Sequence, residues 1–391
     1  MPIRNAPAEL PTTLRFLSSR LARRLRGEKL LKNEPCLRQQ VEQLVPALSD
    51  HLAGHQWMRI PANAQDWMDS GIELKTGESF SLICGGSIRL SERLDVGLHA
   101  QSALWYRVGD EGLARVPSNR STFTAQQSGL LKLLARFPGD FLDQSGAADP
   151  DQPKPKLSGE LEVLILRWKE NATEAGLKAA ADMAPDVFAQ ALERLQQPKT
   201  PPQGWKYFWR IGEAEIYQPG TDDGESKDGQ ICCNTHADVG IAQYPVDIAI
   251  DDSTRLEWSW LVKQLPSKIA EHTQPTHDYL SIAIEFDNGL DLTYMWSVSL
   301  PVGTIFQCPL PWWDQRETHW VIRSGTQELG QWLDESRPVA DDYRAAIGDE
   351  VPERVVAVWL IANSAFQRGT GECVYSKIRL SNRDKQTGIG A

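Results

Sequence analysis

Several common signposts are missing from this chain. No apolar run approaches the ~20 residues that a bilayer-spanning helix needs. The opening MPIRNAPAELPTTLRFLSSRLARRLRGEKLL has no continuous apolar core and no small-residue cleavage site, so it is not expected to act as a secretory signal. Six cysteines (Cys36, Cys84, Cys232, Cys233, Cys308, Cys373) lie scattered, without a C-x-x-C pair or zinc-ligand spacing. Free buried thiols in a reducing cytoplasm are the expectation. Basic residues are outnumbered 41 to 52, a net charge of −11, which argues against specific nucleic-acid binding because backbone contacts need a basic surface. A phosphate-cradling glycine loop, a dinucleotide fingerprint and a nucleophile elbow are all absent. Motif spacing therefore predicts no cofactor and no metal.

What is present is mostly β patterning. At 391 residues, two or three domains are expected. Residues 1–55 read as a helical arm: Leu14, Phe16, Leu17, Leu21 and Leu25 alternate with Arg15, Arg20, Arg23, Arg24 and Arg26, and Leu37 to Leu52 keeps helical spacing. This basic stretch, residues 1–33, is a candidate contact for a membrane surface, an acidic protein partner or nucleic acid, or else a docking helix whose arginines are solvated. Residues 56–168 switch to period two, with short strands separated by turn residues, as in an antiparallel sandwich. Residues 169–204 form a helical bridge and linker, with Pro185 in a first-turn position and Lys199-Thr-Pro-Pro-Gln-Gly closing it. Residues 205–384 carry about nine strand patterns, enough for a larger jelly-roll or concanavalin-like sandwich, with one helical interruption at 339–347.

Within that last segment, Leu280–Phe286 and Leu292–Val298 flank Asp287-Asn288-Gly289, a hairpin signature because Asn and Gly tolerate positive φ. Leu280, Ile282, Ile284 and Phe286 share one face; Ser281, Ala283, Glu285 and Asp287 share the other, where small residues are expected to leave room for a ligand. Glu317, His319 and Arg323 alternate on one face of a later strand. His319 and Glu285 are candidate acid/base groups, with Arg323 as an anion clamp. His277 and Asp278 precede the hairpin, and Trp312-Trp313 sit in a proline-restrained loop that suits ring stacking. His236 and Asp238 face the same way if extended, after a Gly/Asp-rich stretch at 220–229 with lid character; with His277 and His319 they are also conceivable metal ligands, though no spacing favours one. Fourteen tryptophans serve both cores and sugar-stacking sites. The leading expectation is binding of a glycan or another polar, ring-containing small molecule. A cofactor-independent hydrolase, lyase or cyclase is the alternative, and an interaction scaffold the third reading.

Two resemblances add to this. Ser70-Gly71-Ile72, Gly77-Glu78, Ala103–Gly109, Phe123, Gly129-Leu130 and Phe137-Pro138-Gly139 resemble the galactophilic bacterial lectin family, which implies a galactose-binding-like sandwich over residues 56–168. The family holds calcium in a loop after its Pro-Gly turn, so Asp140, Asp143, Asp149 and Asp151 are the matching oxygens. Here Arg136 replaces the acid before the turn and the family's Asn pair is missing, which sets a like charge where the ion would sit. Leu256-Glu-Trp258-Ser-Trp260-Leu-Val, Gly330-Gln-Trp332, Arg337 through Asp341-Asp342-Tyr343-Arg344 to Gly348, and Val355–Ile361 look like the bacterial family called domain of unknown function 3047 over residues 205–380. That name brings no activity with it, and Ile361-Ala-Asn363-Ser364 is less acidic than the family pattern.

Overall fold

The computed structural model describes residues 7–28, 31, 36–110, 112–150, 156–222 and 225–390. Asp151, Asp223 and Gly224, and parts of the 1–33 segment, lie outside the described residues. The chain divides into two compact units. One comprises Gly27–Lys199 with Trp209–Ala214; the other comprises Met1–Arg26, Thr200–Phe208 and Glu215–Ala391. Both are mainly β, built from antiparallel sheets as the period-two patterns predict.

In the first unit, Leu52–Pro61, Ser158–Trp168, Ser79–Ser91 and Val96–His99 form one sheet, with Arg120–Thr124 also paired to Ser79–Ser91. Met68–Leu74, Gly129–Ala135, Leu104–Val108 and Ala114–Arg115 form the other. Leu164, Leu166 and Trp168 project from the first sheet onto Leu177, Ala180, Val187 and Phe188 of the helices Thr173–Met183 and Pro185–Gln196. Alternation of the strand and the 3.6-residue period of the helices thus converge on one core. The expected helical arm divides: Glu9–Leu25 is a helix of the other unit, whereas residues 37–48 hold only short helical turns and Leu52 opens a strand.

The second unit has a seven-stranded sheet, in the order Lys206–Tyr207, Val239–Ala249, Arg354–Asn363, Tyr279–Phe286, Asp291–Ser297, Glu317–Ser324, Ile305–Gln307. The other sheet runs Tyr217–Asp222, Glu225–His236, Thr370–Ser381, Arg255–Gln264, Trp332–Pro338. The segment read as a lid at 220–229 thus contributes, in its described part, to two paired strands. Trp258 stacks on Tyr294 at 5.8 Å and Trp260 lies 5.5 Å from Trp296, so the aromatic residues of both sheets interlock between them. The hairpin forms about the expected turn, with Leu280 opposite Trp296, Glu285 opposite Asp291 and Gly289 at φ 79°.

One pairing departs from the antiparallel expectation. Asp291–Ser297 and Glu317–Ser324 run parallel, because residues 298–316 loop away and return with Ile305–Gln307 on the outer edge. The parallel register sets Asp291 beside Glu317 and Thr293 beside His319. Side chains of paired residues share a face, so these polar groups are gathered on the side of the sheet opposite Tyr294 and Trp296.

Candidate metal centre

Four side chains meet on that face. Glu317 and His319 are two residues apart on one strand and therefore project together. Cys308 follows the edge strand Ile305–Gln307, and its amide donates to the Glu317 carbonyl at 2.9 Å. His277 enters from the loop before Tyr279, at the end of a 3₁₀ turn that Pro275 helps to start. The ligating atoms of His277, Cys308, Glu317 and His319 all lie within 4.8 Å of one another, and all four residues are buried.

The chemistry of each donor is legible. His277 Nδ1 lies 2.7 Å from the Glu271 carbonyl, which can only accept, so Nδ1 carries the proton and Nε2 presents a lone pair. That lone pair sits 3.4 Å from Cys308 Sγ. Burial, reinforced by the neighbouring His319, pushes His277 down to about 3, so its ring is neutral. Burial and the Glu317 charge push the Cys308 thiol well up. Burial also works to raise Glu317, but the surrounding His319, His277 and Cys308 outweigh it and hold the carboxyl at about 2. His319 Nε2 stands 3.4 Å from Glu317 Oε1, yet neither of its ring nitrogens makes a hydrogen bond of proper geometry within the described residues. A buried imidazole whose contact with Glu317 lacks hydrogen-bond geometry is costly and calls for an explanation.

A second layer fixes these groups. The Tyr279 hydroxyl and the Thr293 hydroxyl each donate to Glu317 Oε1 at 3.1 Å. Phe306 stacks on the His319 ring at 4.9 Å and 11°. Glu271, fully buried, accepts from Ser267 at 2.6 Å and from the Val298 amide at 2.7 Å, and so pins the loop whose carbonyl orients His277. Alongside, Arg316 bridges Asp291 and Glu285, at 3.0 Å each, beneath Trp312, Trp313 and Trp359.

The residues that carried the sequence resemblance build the scaffold behind this site. Trp258 and Trp260 form the aromatic core already described, and Trp260 Nε1 donates to Glu335. Asp342 accepts two bonds from Arg337, each 2.7 Å, and one from the Tyr294 hydroxyl at 2.8 Å. Residues 204–379 match the DUF3047 family model. That family is described as protein of unknown function, and the match covers the C-terminal segment as the motifs implied. Among curated proteins, none matches the sequence. Solved structures similar to this chain include the N-terminal domain of EclA, a PllA-like lectin, with 19% identity over 29% of this chain and 95% of that one and a TM-score of 0.22. The xyloglucanase domain of NopAA, a type three effector from Sinorhizobium fredii, has 7% identity over 46% of this chain and 94% of its own, with a TM-score of 0.29. A carbohydrate-binding module of the β-sandwich superfamily has 8% identity over 83% and 98%, with a TM-score of 0.23.

Within residues 204–379, the sequence-expected site residues separate into two groups. His277 and His319 are in the cluster. Glu285 shares their sheet face but is taken up by Arg316, and the ligand space expected over Ser281 and Ala283 is filled: both are fully buried, with Trp359 beside Ala283 in register and Phe208 stacked on Trp359 at 5.5 Å. Arg323 does not join them. A register shift after Met295 sets Arg323 opposite Trp296, and it pairs with Glu335 and Glu328. His319, Glu285 and Arg323 therefore do not converge as an acid, base and anion clamp.

Asp278 is committed to the Phe366 and Gln367 amides at 2.9 and 2.6 Å, and burial lifts it to about 7. Asp287 lies exposed in the hairpin turn. Trp313 is a buried plug; Trp312, half-buried at φ 71°, gives its ring to Arg316 rather than to an open stacking platform. His236 and Asp238 flank a tight turn with Ala237 at φ 51°; His236 Nδ1 contacts the Thr370 hydroxyl, and neither residue is in the four-residue cluster. Cys308 and Glu271 were missed. The only local signal was the Glu-x-His pattern at 317–319; nothing in the spacing connects it to residues 277 and 308.

The expected lectin calcium loop, in the other unit, is satisfied by arginines. Arg210 binds Asp149, Arg136 faces Asp140, and Asp143 turns to the Ser145 amide. Among the described residues, Asp140, Asp143 and Asp149 form no metal-holding group.

Proposed function

We propose that the C-terminal unit binds one divalent cation of the zinc type through His277 Nε2, Cys308 Sγ, the Glu317 carboxylate and His319. The observation that carries this reading is the gathering of four mutually close, fully buried donors, one of them an imidazole without a hydrogen-bond partner. Donor atoms on a tetrahedron around Zn²⁺ sit about 3.3–3.7 Å apart for ordinary bond lengths. The Cys308–His277 and His319–Glu317 separations, each 3.4 Å, already match that edge. Charge fits as well. A thiolate, a carboxylate and two neutral imidazoles cancel a divalent charge, so the buried site would be neutral once Cys308 releases its proton. The Glu271 carbonyl supplies the outer hydrogen bond that histidine ligands require. Four protein donors fill a tetrahedron, which is the pattern of a structural site.

The test is metal analysis of the purified protein, followed by competition for Zn²⁺ with a chromophoric chelator. One equivalent per chain is expected, with loss of binding in C308S and H319Q. Retention of no cation, together with no thermal shift on adding Zn²⁺, would refute the proposal.

A second reading, binding of a small polar ligand, is favoured by one observation. Cys308 also lines a pocket of about 260 Å³ with Glu9, His272, Phe306, Gln307 and Asp314. A sugar or other polar ring would meet hydrogen-bonding groups there. Calorimetry with a panel of mono- and disaccharides tests it, and absence of heat with any of them would remove the glycan version.

A further inference from the structure

The helix Glu9–Leu25 is docked by an unexpected face. Thr12, Phe16 and Arg20 are its buried residues, and Arg20 reaches the Phe366 carbonyl at 2.6 Å while covering the Phe16 ring. Leu10, Leu14, Leu17, Leu21 and Leu25 are left 36% to 80% exposed. At 100° per residue these five leucines fall within an arc of about 80°, and they run about 22 Å along the axis. An amphipathic helix ordinarily buries such a stripe against its own protein. Here the polar side carries the docking contacts and the apolar stripe faces outward.

Charge identifies the occupant. Residues 9–26 contain five arginines and one glutamate, a net +4, whereas the remainder of the chain carries −15. Arg15, Arg24 and Arg26 are exposed. A second copy of the helix would bring like charges together along the whole seam. An anionic lipid surface offers an apolar layer for the leucines and negative headgroups for the arginines, and it repels the acidic rest of the chain, which restricts contact to this face.

We propose that the Glu9–Leu25 helix is an interfacial anchor that lies in the plane of an anionic membrane, leucines down, with the C-terminal unit held above it by Phe16 and Arg20. This does not depend on the cation site.

The experiment is co-sedimentation of the full chain with vesicles of phosphatidylcholine alone and with 30 mol% phosphatidylserine. Binding to the anionic vesicles only is expected, weakening about fivefold for each exposed arginine neutralised to glutamine and with rising salt. L14D/L21D should lower the partition coefficient at least tenfold while the chain remains folded by circular dichroism, because both side chains are more than half exposed. Absence of binding, equal binding to neutral vesicles, or unchanged binding by L14D/L21D would overturn the proposal. So would a concentration-dependent dimer that L14D/L21D abolishes in the absence of lipid, since a second copy would then own the stripe.

Discussion

Replacing Arg316 by Met tests whether the polar row beside the cation site is held by a single guanidinium. Asp291 is fully buried and Arg316 Nε is 3.0 Å from its Oδ1. Burial and the Glu317 charge push Asp291 well above the usual carboxylate range, and Arg316 is the group that opposes them. Removing one partner of a buried pair costs about 3–5 kcal/mol. The Glu285 contact, with that side chain 22% exposed, adds about 1 kcal/mol. Contact with three indoles adds about 0.5–1 kcal/mol each, part of which the methionine retains by packing. Asp291 can take up a proton instead of staying charged, which limits the total, and a loss of about 4 kcal/mol is expected. Arg316 holds the Asp291 carboxyl down, so its removal raises that carboxyl further, and the deficit should widen as pH rises past the wild-type value. The assay is urea unfolding followed by tryptophan emission, to which Trp312, Trp313 and Trp359 around Arg316 contribute directly. In the double variant R316M/D291N the loss should fall short of the sum of the single losses by about 2 kcal/mol or more. A single-variant loss below about 1 kcal/mol, or additivity in the cycle, would refute the reasoning.

Three further outcomes are expected. Y279F removes one donor to Glu317 Oε1 and should weaken Zn²⁺ binding about 10- to 100-fold without unfolding the chain, as read by chelator competition. In the other unit, burial lifts Asp140 to about 6 despite the pull of Arg136. The native state then holds a proton that the unfolded chain has released between pH ~4 and ~6, so stability should fall over that window as pH rises; D140N should flatten that part of the curve and gain about 1–3 kcal/mol at pH 7, by denaturant melts. G176A would gain about 1 kcal/mol from helix propensity. Its Cβ, however, would stand 2.4 Å from a Trp168 ring carbon, and overpacking of about 1–3 kcal/mol should win, giving a net loss in thermal melts.

Local features of the fold could be read from the sequence; long-range assembly could not. The Asp287-Asn288-Gly289 turn and the alternation around it located the hairpin, because turn geometry and alternation act within a few residues. The Trp258-x-Trp260 pair, which carried the family resemblance, lies in the inter-sheet core. Arg323 was assigned to the wrong face because a register shift of one residue exchanges inside and outside, and no composition signal announces it. The cation cluster joins residues 277, 308, 317 and 319, whose meeting depends on a parallel pairing and a return loop. The open face read from Ser281 and Ala283 proved to be space for Trp359 on the adjacent strand. Small side chains signal a gap but not what fills it.

The excursion of residues 298–316 has a consequence for how the chain comes apart. All six cysteines are unpaired, so no covalent bond ties this loop to the sheet. A cation shared by His277, Cys308 and His319 would close a loop of roughly 40 residues. By the chain-entropy relation used for disulfides, that closure restricts the unfolded ensemble by about 4 kcal/mol. The corner would then act as a removable crosslink: chelation should let the 305–324 edge detach ahead of the remaining strands, and proteases should cut first between Ser299 and Arg316.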